Sequence, residues 1–438
     1  MVSFLFILKS FLALASIYSP EQVHVSLSDS VTSMTVTWAA ENPSPGPVVE
    51  FTPVTSPNEP ISFFAYSAQG TWTTFPNKNH PAVLQRHLHT CKAVMTDLIP
   101  GNFYKYRVGS EIYGWSDVFA FEAKRNFTTN PLSRMLVYGD LGVGDQIYAT
   151  MQRLIEETEA YKYDAIIHNG DFAYDLDSNQ GQVGDEFMRS IEPVASKVPY
   201  MVSEGNHEHK YNIFHYNYRF SMPGNSSNLF YSFNIGKVHF IAYSTEFIFG
   251  YQSDLEAVQN NFIKVDLATY NRTLYPWLVV FGHRPLYCSA NMTAPSVKLG
   301  AYFPPYERHN NDCLENATTV RNAFEETWYK AKVDLVITSH VHAYERLASV
   351  YKNESVPCET EDFNTCVNAK APIYIVTGAP GQQESYAPVS PTPLPFSVFQ
   401  DDHWGYSRMT VFNESHLLWE QVRSVTKEVI DFLWIIKQ

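Results

Sequence analysis

Five short apolar runs in this chain each lead directly into a small cluster of glycine or serine with acids, amides or imidazoles. Met135-Leu136-Val137-Tyr138 is followed by Gly139-Asp140-Leu141-Gly142, and Ala165-Ile166-Ile167 leads to Gly170-Asp171-Phe172-Ala173-Tyr174. Tyr200-Met201-Val202 leads to Gly205-Asn206-His207-Glu208. Trp277-Leu278-Val279-Val280-Phe281 leads to Gly282-His283, and Asp334-Leu335-Val336-Ile337 to Ser339-His340-Val341-His342. Runs of this length and composition read as buried strands. From Gln146 to Tyr161, the residues Ile147, Met151, Leu154 and Ile155 share one helical face. Strand, helix and strand within about thirty residues make a βαβ unit, whose strands pair in parallel. Val238-His239-Phe240-Ile241-Ala242 is a further strand of the same kind. In parallel sheets, functional side chains gather in the crevice outside the carboxyl ends of the strands. Five clusters far apart in sequence can therefore meet at one edge. The glycines beside them permit the tight turn from strand to loop.

A chain of 438 residues exceeds one ordinary core, so two domains are expected. Residues 17–125 read as all-β: Thr35-Val36-Thr37-Trp38 and Val118-Phe119-Ala120-Phe121 have strand composition. The Pro- and Ser-rich stretch from Pro43 to Pro60 reads as turns and edge loops. Leu98 to Tyr106 puts Tyr104 near the start of a strand, as in the tyrosine corner of immunoglobulin-type sandwiches. This domain carries no chemistry-bearing cluster and reads as structural. The α/β pattern occupies 131–438.

The first residues form a short apolar run ending in Ala13-Leu14-Ala15, which reads as a signal peptide over 1–16. No later stretch approaches the about 18 apolar residues of a membrane span. Asn-x-Ser/Thr sequons at Asn126, Asn225, Asn271, Asn291, Asn316, Asn353 and Asn413 read as glycosylation sites of an exported protein, extracellular or lysosomal. Of five cysteines, Cys288 with Cys313 and Cys358 with Cys366 each bracket a loop and are expected to pair, leaving Cys91 free. The formal charge of −14 argues against nucleic-acid or anionic-membrane partners, which need basic surface.

Taken singly, Asp-x-Gly, Gly-Asn-His and His-x-His are common turn and surface patterns. Their joint order, each at a strand end, is not. Asp140 to Gly142, Gly170 to Tyr174, Gly205 to Glu208, Val280 to His283 and His340 to His342 resemble the five blocks of the calcineurin-like metallophosphoesterases. Tyr174 in the second block resembles the purple acid phosphatase branch. The resemblance extends over His342-Ala343-Tyr344-Glu345-Arg346, the β-domain opening Pro20-Glu21-Gln22-Val23-His24, and the tail from Gly405-Tyr406-Ser407-Arg408. The loop around Cys288 is similar to the animal long-chain type, whose N-terminal domain is fibronectin-III-like. The implied fold is an α/β-sandwich phosphoesterase domain preceded by that β-sandwich.

The resemblance further implies iron(III) bound by Asp140, Tyr174 and His342, and a divalent ion bound by Asn206, His283 and His340, with Asp171 between them. Hard oxygen donors suit iron(III), while imidazoles and an amide oxygen suit divalent Fe, Zn or Mn. Such a centre keeps a charge of about +1 after two carboxylates, a phenolate and one hydroxide are subtracted. An acidic protein can thus still hold a phosphate. The implied reaction is hydrolysis of small phosphate monoesters by metal-bound hydroxide, with His207 as acid for the leaving group or as a phosphate donor. Two alternatives stand beside it: a phosphodiesterase or pyrophosphatase with the same metals, and a catalytically silent secreted binding glycoprotein.

Two departures matter. Ser339 stands where the family has glycine; serine can adopt many of the same backbone angles, but at positive φ it would be strained. Asn291, Met292 and Thr293 occupy the positions of the further substrate histidines of plant members. Glu208 and His209 read as a solvated turn, His168 as a satisfied core group, and Tyr344, Glu345 and Arg346 as packing behind the site. Asp401-Asp402-His403 reads as a surface cluster.

Overall fold

The computed structural model describes residues 20–40, 46–74, 89–112, 114–125, 127, 131–289, 312–384 and 387–438. The N-terminal signal-peptide reading, and the sequons at Asn126 and Asn291, lie outside them.

The β domain is two antiparallel sheets. Glu21–Leu27, Met34–Ala40, His89–Met95 and Thr71–Thr74 form one; Tyr66–Gln69, Val48–Val54 and Phe103–Ser110 form the other, with Gly114–Trp115 and Phe119–Glu122 on its far edge. Val23, Val25, Val36, Trp38, Cys91, Tyr106 and Phe121 fill the space between. Tyr104 Oη accepts the Ile99 N–H at 2.9 Å, which is the tyrosine-corner contact. The Pro43–Pro60 stretch is not all loop. It contains the strand Val48–Val54, because Val49 and Phe51 bury on one face despite the flanking prolines.

The second domain has two eight-stranded sheets. In the first, Tyr200–Ser203, Ala165–Asn169 and Ser133–Tyr138 run parallel, and the last pairs antiparallel with Gly405–Val411 of the C-terminal meander. In the second, Val238–Ala242, Trp277–Phe281, Leu335–Thr338 and Ile373–Thr377 run parallel, and Tyr344–Tyr351 returns antiparallel. The cluster-bearing strands are therefore divided between two sheets, not ranged along one edge. Leu136, Ile166, Val202, Val279, Phe281 and Ile337 join the facing sides in one core. Leu278 and Val280 point the other way, into a second core with Phe324 and Trp328 of the helix Ala317–Lys330. Strands covered on both faces need apolar residues at every position, which is why these runs show no alternation.

The helix expected at 146–161 spans Tyr148–Thr158 behind a short 3-10 turn. Both expected disulfides are present and Cys91 is free and buried. The sandwich docks on the helix Gln182–Ala195. Glu192 accepts the Val23 N–H at 2.7 Å, and Tyr106 Oη donates to Ser196 O just beyond the helix at 2.8 Å. Among the described residues no helix is long and apolar enough to cross a membrane.

Candidate metal centre

After three of the five strands the loop turns sharply, and the turn falls on the polar residues themselves. Asp140, Asp171, Tyr174 and His340 have φ of 60°, 52°, 50° and 67°. Side-chain-bearing residues take this conformation at a cost of about 1–3 kcal/mol, and it collects at functional sites. Ser339 does not take a positive φ and so avoids the strain it would have there; the left-handed residue is His340. Gly205 is needed for space: a Cβ there would overlap Asp171 Oδ1.

Two donor sets result. In the first, Tyr174 Oη lies 3.2 Å from Asp140 Oδ1 and 2.9 Å from His342 Nε2, which is 3.4 Å from the same carboxylate oxygen. In the second, His283 Nε2 lies 3.1 Å from Asp171 Oδ2, 3.2 Å from Asn206 Oδ1 and 3.1 Å from His340 Nδ1. The His340 amide donates to Asp140 Oδ2 at 2.9 Å and so ties the sets together. All seven residues expected at the site gather here.

The protonation chemistry tests whether these residues suit cations. His283 Nδ1 faces Asn169 O at 3.0 Å and Ser339 Oγ at 3.1 Å. A carbonyl only accepts, so Nδ1 carries the hydrogen and Nε2 offers its lone pair to the cluster. Asp171 and Asn206 offer lone pairs to the same point. With protons as the only cations, burial disfavours charge on His283, but Asp171, Asp140 and Glu246 together outweigh it and push the pKa up to about 9. The phenol of Tyr174 is held well above its ordinary range by burial and by the carboxylates of Asp140 and Asp171. Acceptors converging without a fixed donor are what a metal ion satisfies, and a highly charged ion is what displaces a proton from such a phenol. The residues fit a pair of ions.

His207 lies beside them with its ring centroid 4.6 Å from that of Tyr174. Its Nδ1 is 2.8 Å from Asp175 Oδ1, and its Nε2 is 3.5 Å from Glu384 Oε2 and 3.9 Å from Asp171 Oδ2. Burial lowers the imidazole pKa, but Asp171, Asp175 and Glu384 together raise it to about 12. Neither Asp175 nor Glu384 was singled out from the sequence. Asp175 directly follows Tyr174, a signal within reach; Glu384 arrives from a distant loop and gave none.

Glu208 and His209 overturn the expectation of a solvated turn. Glu208 is 2 % exposed and accepts from the amides of Asp171 (2.8 Å), Phe172 (3.0 Å) and Gly205 (2.8 Å), stapling two of the loops together. His209 is buried with its ring centroid 4.6 Å from that of Tyr251, and burial pushes its pKa down to about 4. His168 Nδ1 pairs with Tyr200 Oη at 2.7 Å. Arg346 and Tyr344 both donate to Asp431 behind the site, and Glu345 accepts the Ser289 N–H. In the Asp401-Asp402-His403 cluster, Arg423 already neutralises Asp401.

Three family models match the chain: "Purple acid Phosphatase, N-terminal domain" over 20–123, "Calcineurin-like phosphoesterase" over 133–344, and "Iron/zinc purple acid phosphatase-like protein C" over 371–432. Acid phosphatase type 7 of Homo sapiens is 36% identical over 424 residues, covering 96% of this chain and 91% of that protein. The chain belongs to the purple acid phosphatases. Acid phosphatase type 7 of Danio rerio is likewise 36% identical, over 428 residues, with 96% and 91% covered. Purple acid phosphatase PPD1 from Lupinus luteus seeds shares the fold, with a TM-score of 0.77 at 24% identity over 96% of this chain and 75% of that one.

Ser339 has a counterpart across the site. Ser339 Oγ donates to Asn169 O at 2.6 Å, and a Cβ on Gly139 would overlap that hydroxyl. Gly139→Ala is expected to destabilise the fold by about 1–3 kcal/mol through this overlap. Adding Ser339→Gly should recover part of the loss, so thermal unfolding of the two single variants and the double variant should show non-additivity. Strict additivity would refute the pairing.

Proposed function

We propose that this purple acid phosphatase hydrolyses small phosphate monoesters at a centre of one iron(III) and one divalent ion. The observation that carries the reading is the meeting of two donor sets of different hardness, joined by the His340 amide on Asp140. Asp140, Tyr174 and His342 would hold the ferric ion, and Asn206, His283 and His340 the divalent one, for which Fe, Zn and Mn share the ligand set. Asp171 would lie between the two. When bound, the ions neutralise phosphoryl oxygens, orient the ester and acidify water for in-line attack.

The protein's own part is orientation and a proton. Asp175 anchors Nδ1 of His207, leaving Nε2 toward the ester. Asp175 and Glu384 favour the charged imidazole against its burial, which suits a donor to a departing alkoxide. Work in an oxidising compartment, extracellular or lysosomal, is supported by the two disulfides and by exposed sequons at Asn225, Asn271 and Asn353.

The test is a metal analysis of the purified protein with its visible spectrum. About one iron and one further divalent ion per chain are expected, with a visible band lost on reduction or chelation, from phenolate on iron(III). A colourless protein without iron would overturn the assignment of Tyr174. Turnover of an alkyl monoester, a diester and ATP should favour the monoester; a preference for either of the others would move the proposal to a diesterase or pyrophosphatase.

A further inference from the structure

His340 turns Nδ1 toward the second donor set, 3.1 Å from His283 Nε2, and Nε2 away from it, 3.2 Å from Asp312 Oδ1. A histidine that gives Nδ1 to a cation must carry its hydrogen on Nε2. A carboxylate accepting that hydrogen fixes the tautomer and ring plane and makes the ligand more basic. Arg284 Nη1 also lies 3.1 Å from His340 Nε2, but a guanidinium only donates and cannot serve an N–H. Arg284 is engaged by Glu246, at 2.9 and 3.0 Å from its Nε, and its Nη1 lies 4.0 Å from Asp312 Oδ1. The guanidinium therefore lies beside the Asp312 carboxylate while bonded to another acid.

Asp312 is itself held from several sides. It is 7 % exposed, and Asn316 Nδ2 donates to its Oδ1 at 2.6 Å. The next residue, Cys313, is bonded to Cys288 on the segment that follows His283. The disulfide thus ties the turn carrying Asp312 to the strand end carrying a second residue of the same donor set.

We propose that Asp312 is a positioning residue for the divalent ion, acting through His340, and that the Cys288–Cys313 disulfide holds it against the ring. The inference rests on the two-ion reading given above.

Holoenzymes of wild type, Asp312→Asn and Asp312→Ala would be dialysed against graded chelator and reloaded with Zn²⁺, with metal content and the visible band both recorded. The expected result is divalent-ion affinity about 10–100-fold weaker in Asp312→Ala, with a smaller loss in Asp312→Asn, whose amide oxygen still accepts a hydrogen bond. Iron content and the visible band should stay unchanged, and kcat should recover at saturating Zn²⁺. A merely structural Asp312 would not separate the two ions in this way. Cys288→Ser/Cys313→Ser should weaken the same ion and add little on top of Asp312→Ala. Equal Zn²⁺ affinity in wild type and Asp312→Ala, with both ions present, overturns this inference alone. A wild type that takes up no divalent ion overturns the two-ion reading and this inference with it.

Discussion

Asp171→Asn is expected to lower kcat/KM for a phosphate monoester by about 10³-fold or more. The neutral amide removes a negative charge from the middle of the centre and can turn an N–H₂ toward the donor set. Two-metal clamps supply several kcal/mol of transition-state stabilisation, and each 1.36 kcal/mol is tenfold in rate. Asp171 is 1 % exposed, with Oδ2 on His283 and Oδ1 accepting the His207 N–H at 3.0 Å. An asparagine oxygen keeps the second contact, so the loop should survive. The ions should not: the divalent ion should dialyse away readily, and the visible band should shift or fade. Activity, metal content and spectrum measured on one preparation check this. Retention of both phosphatase activity and colour would show that Asp171 does not join the ions.

Why the site was legible at all is a matter of locality. Each of the five clusters sits on one strand end, and the residues that matter follow their strand within a few positions, as with Asp140 after Tyr138 or His283 after Phe281. A linear pattern can carry that. It could not show that Ser133–Tyr138 and Trp277–Phe281 belong to different sheets, because a strand buried on both faces looks the same in either. Lone carboxylates were invisible for a related reason. Glu384 reaches His207 from a loop, and Asp312 reaches His340 from the helical turn Asp312–Asn316, segments whose own sequence has no metal-like spacing. Glu208 was misread because an acid in a glycine-flanked turn is ordinarily solvated; only the fold brings three amides to it. Whether Ser339 would need a positive φ could not be read from the sequence; the left-handed residue is its neighbour His340, whose amide donates to Asp140.

His207→Asn should produce the second large effect, and its size should depend on the leaving group. A positioned general acid contributes about 10²–10⁴ in rate when the departing group is a poor one. For an alkyl phosphate the alkoxide must be protonated as it leaves, so kcat should fall within that range. For an aryl phosphate with an acidic phenol the leaving group needs no proton, and the loss should be much smaller. If His207 served only to bind phosphate, both esters would suffer alike and KM would rise. The pH profile gives an independent reading. Asp175 and Glu384 raise the pKa of His207 against its burial, while ions bound at Asp171 would offset the contribution of that carboxylate, so the donor is loaded below the resulting pKa and lost above it. Wild-type turnover of the alkyl ester should therefore decline on the alkaline side, and the decline should vanish in His207→Asn. Asp175→Asn keeps an oxygen that can accept from Nδ1 but removes its negative charge, which lowers the imidazole pKa and should move the decline to lower pH. Equal losses on both esters together with an unchanged pH profile would remove His207 from the proton transfer, and a wild-type rate climbing steadily into alkali would do the same.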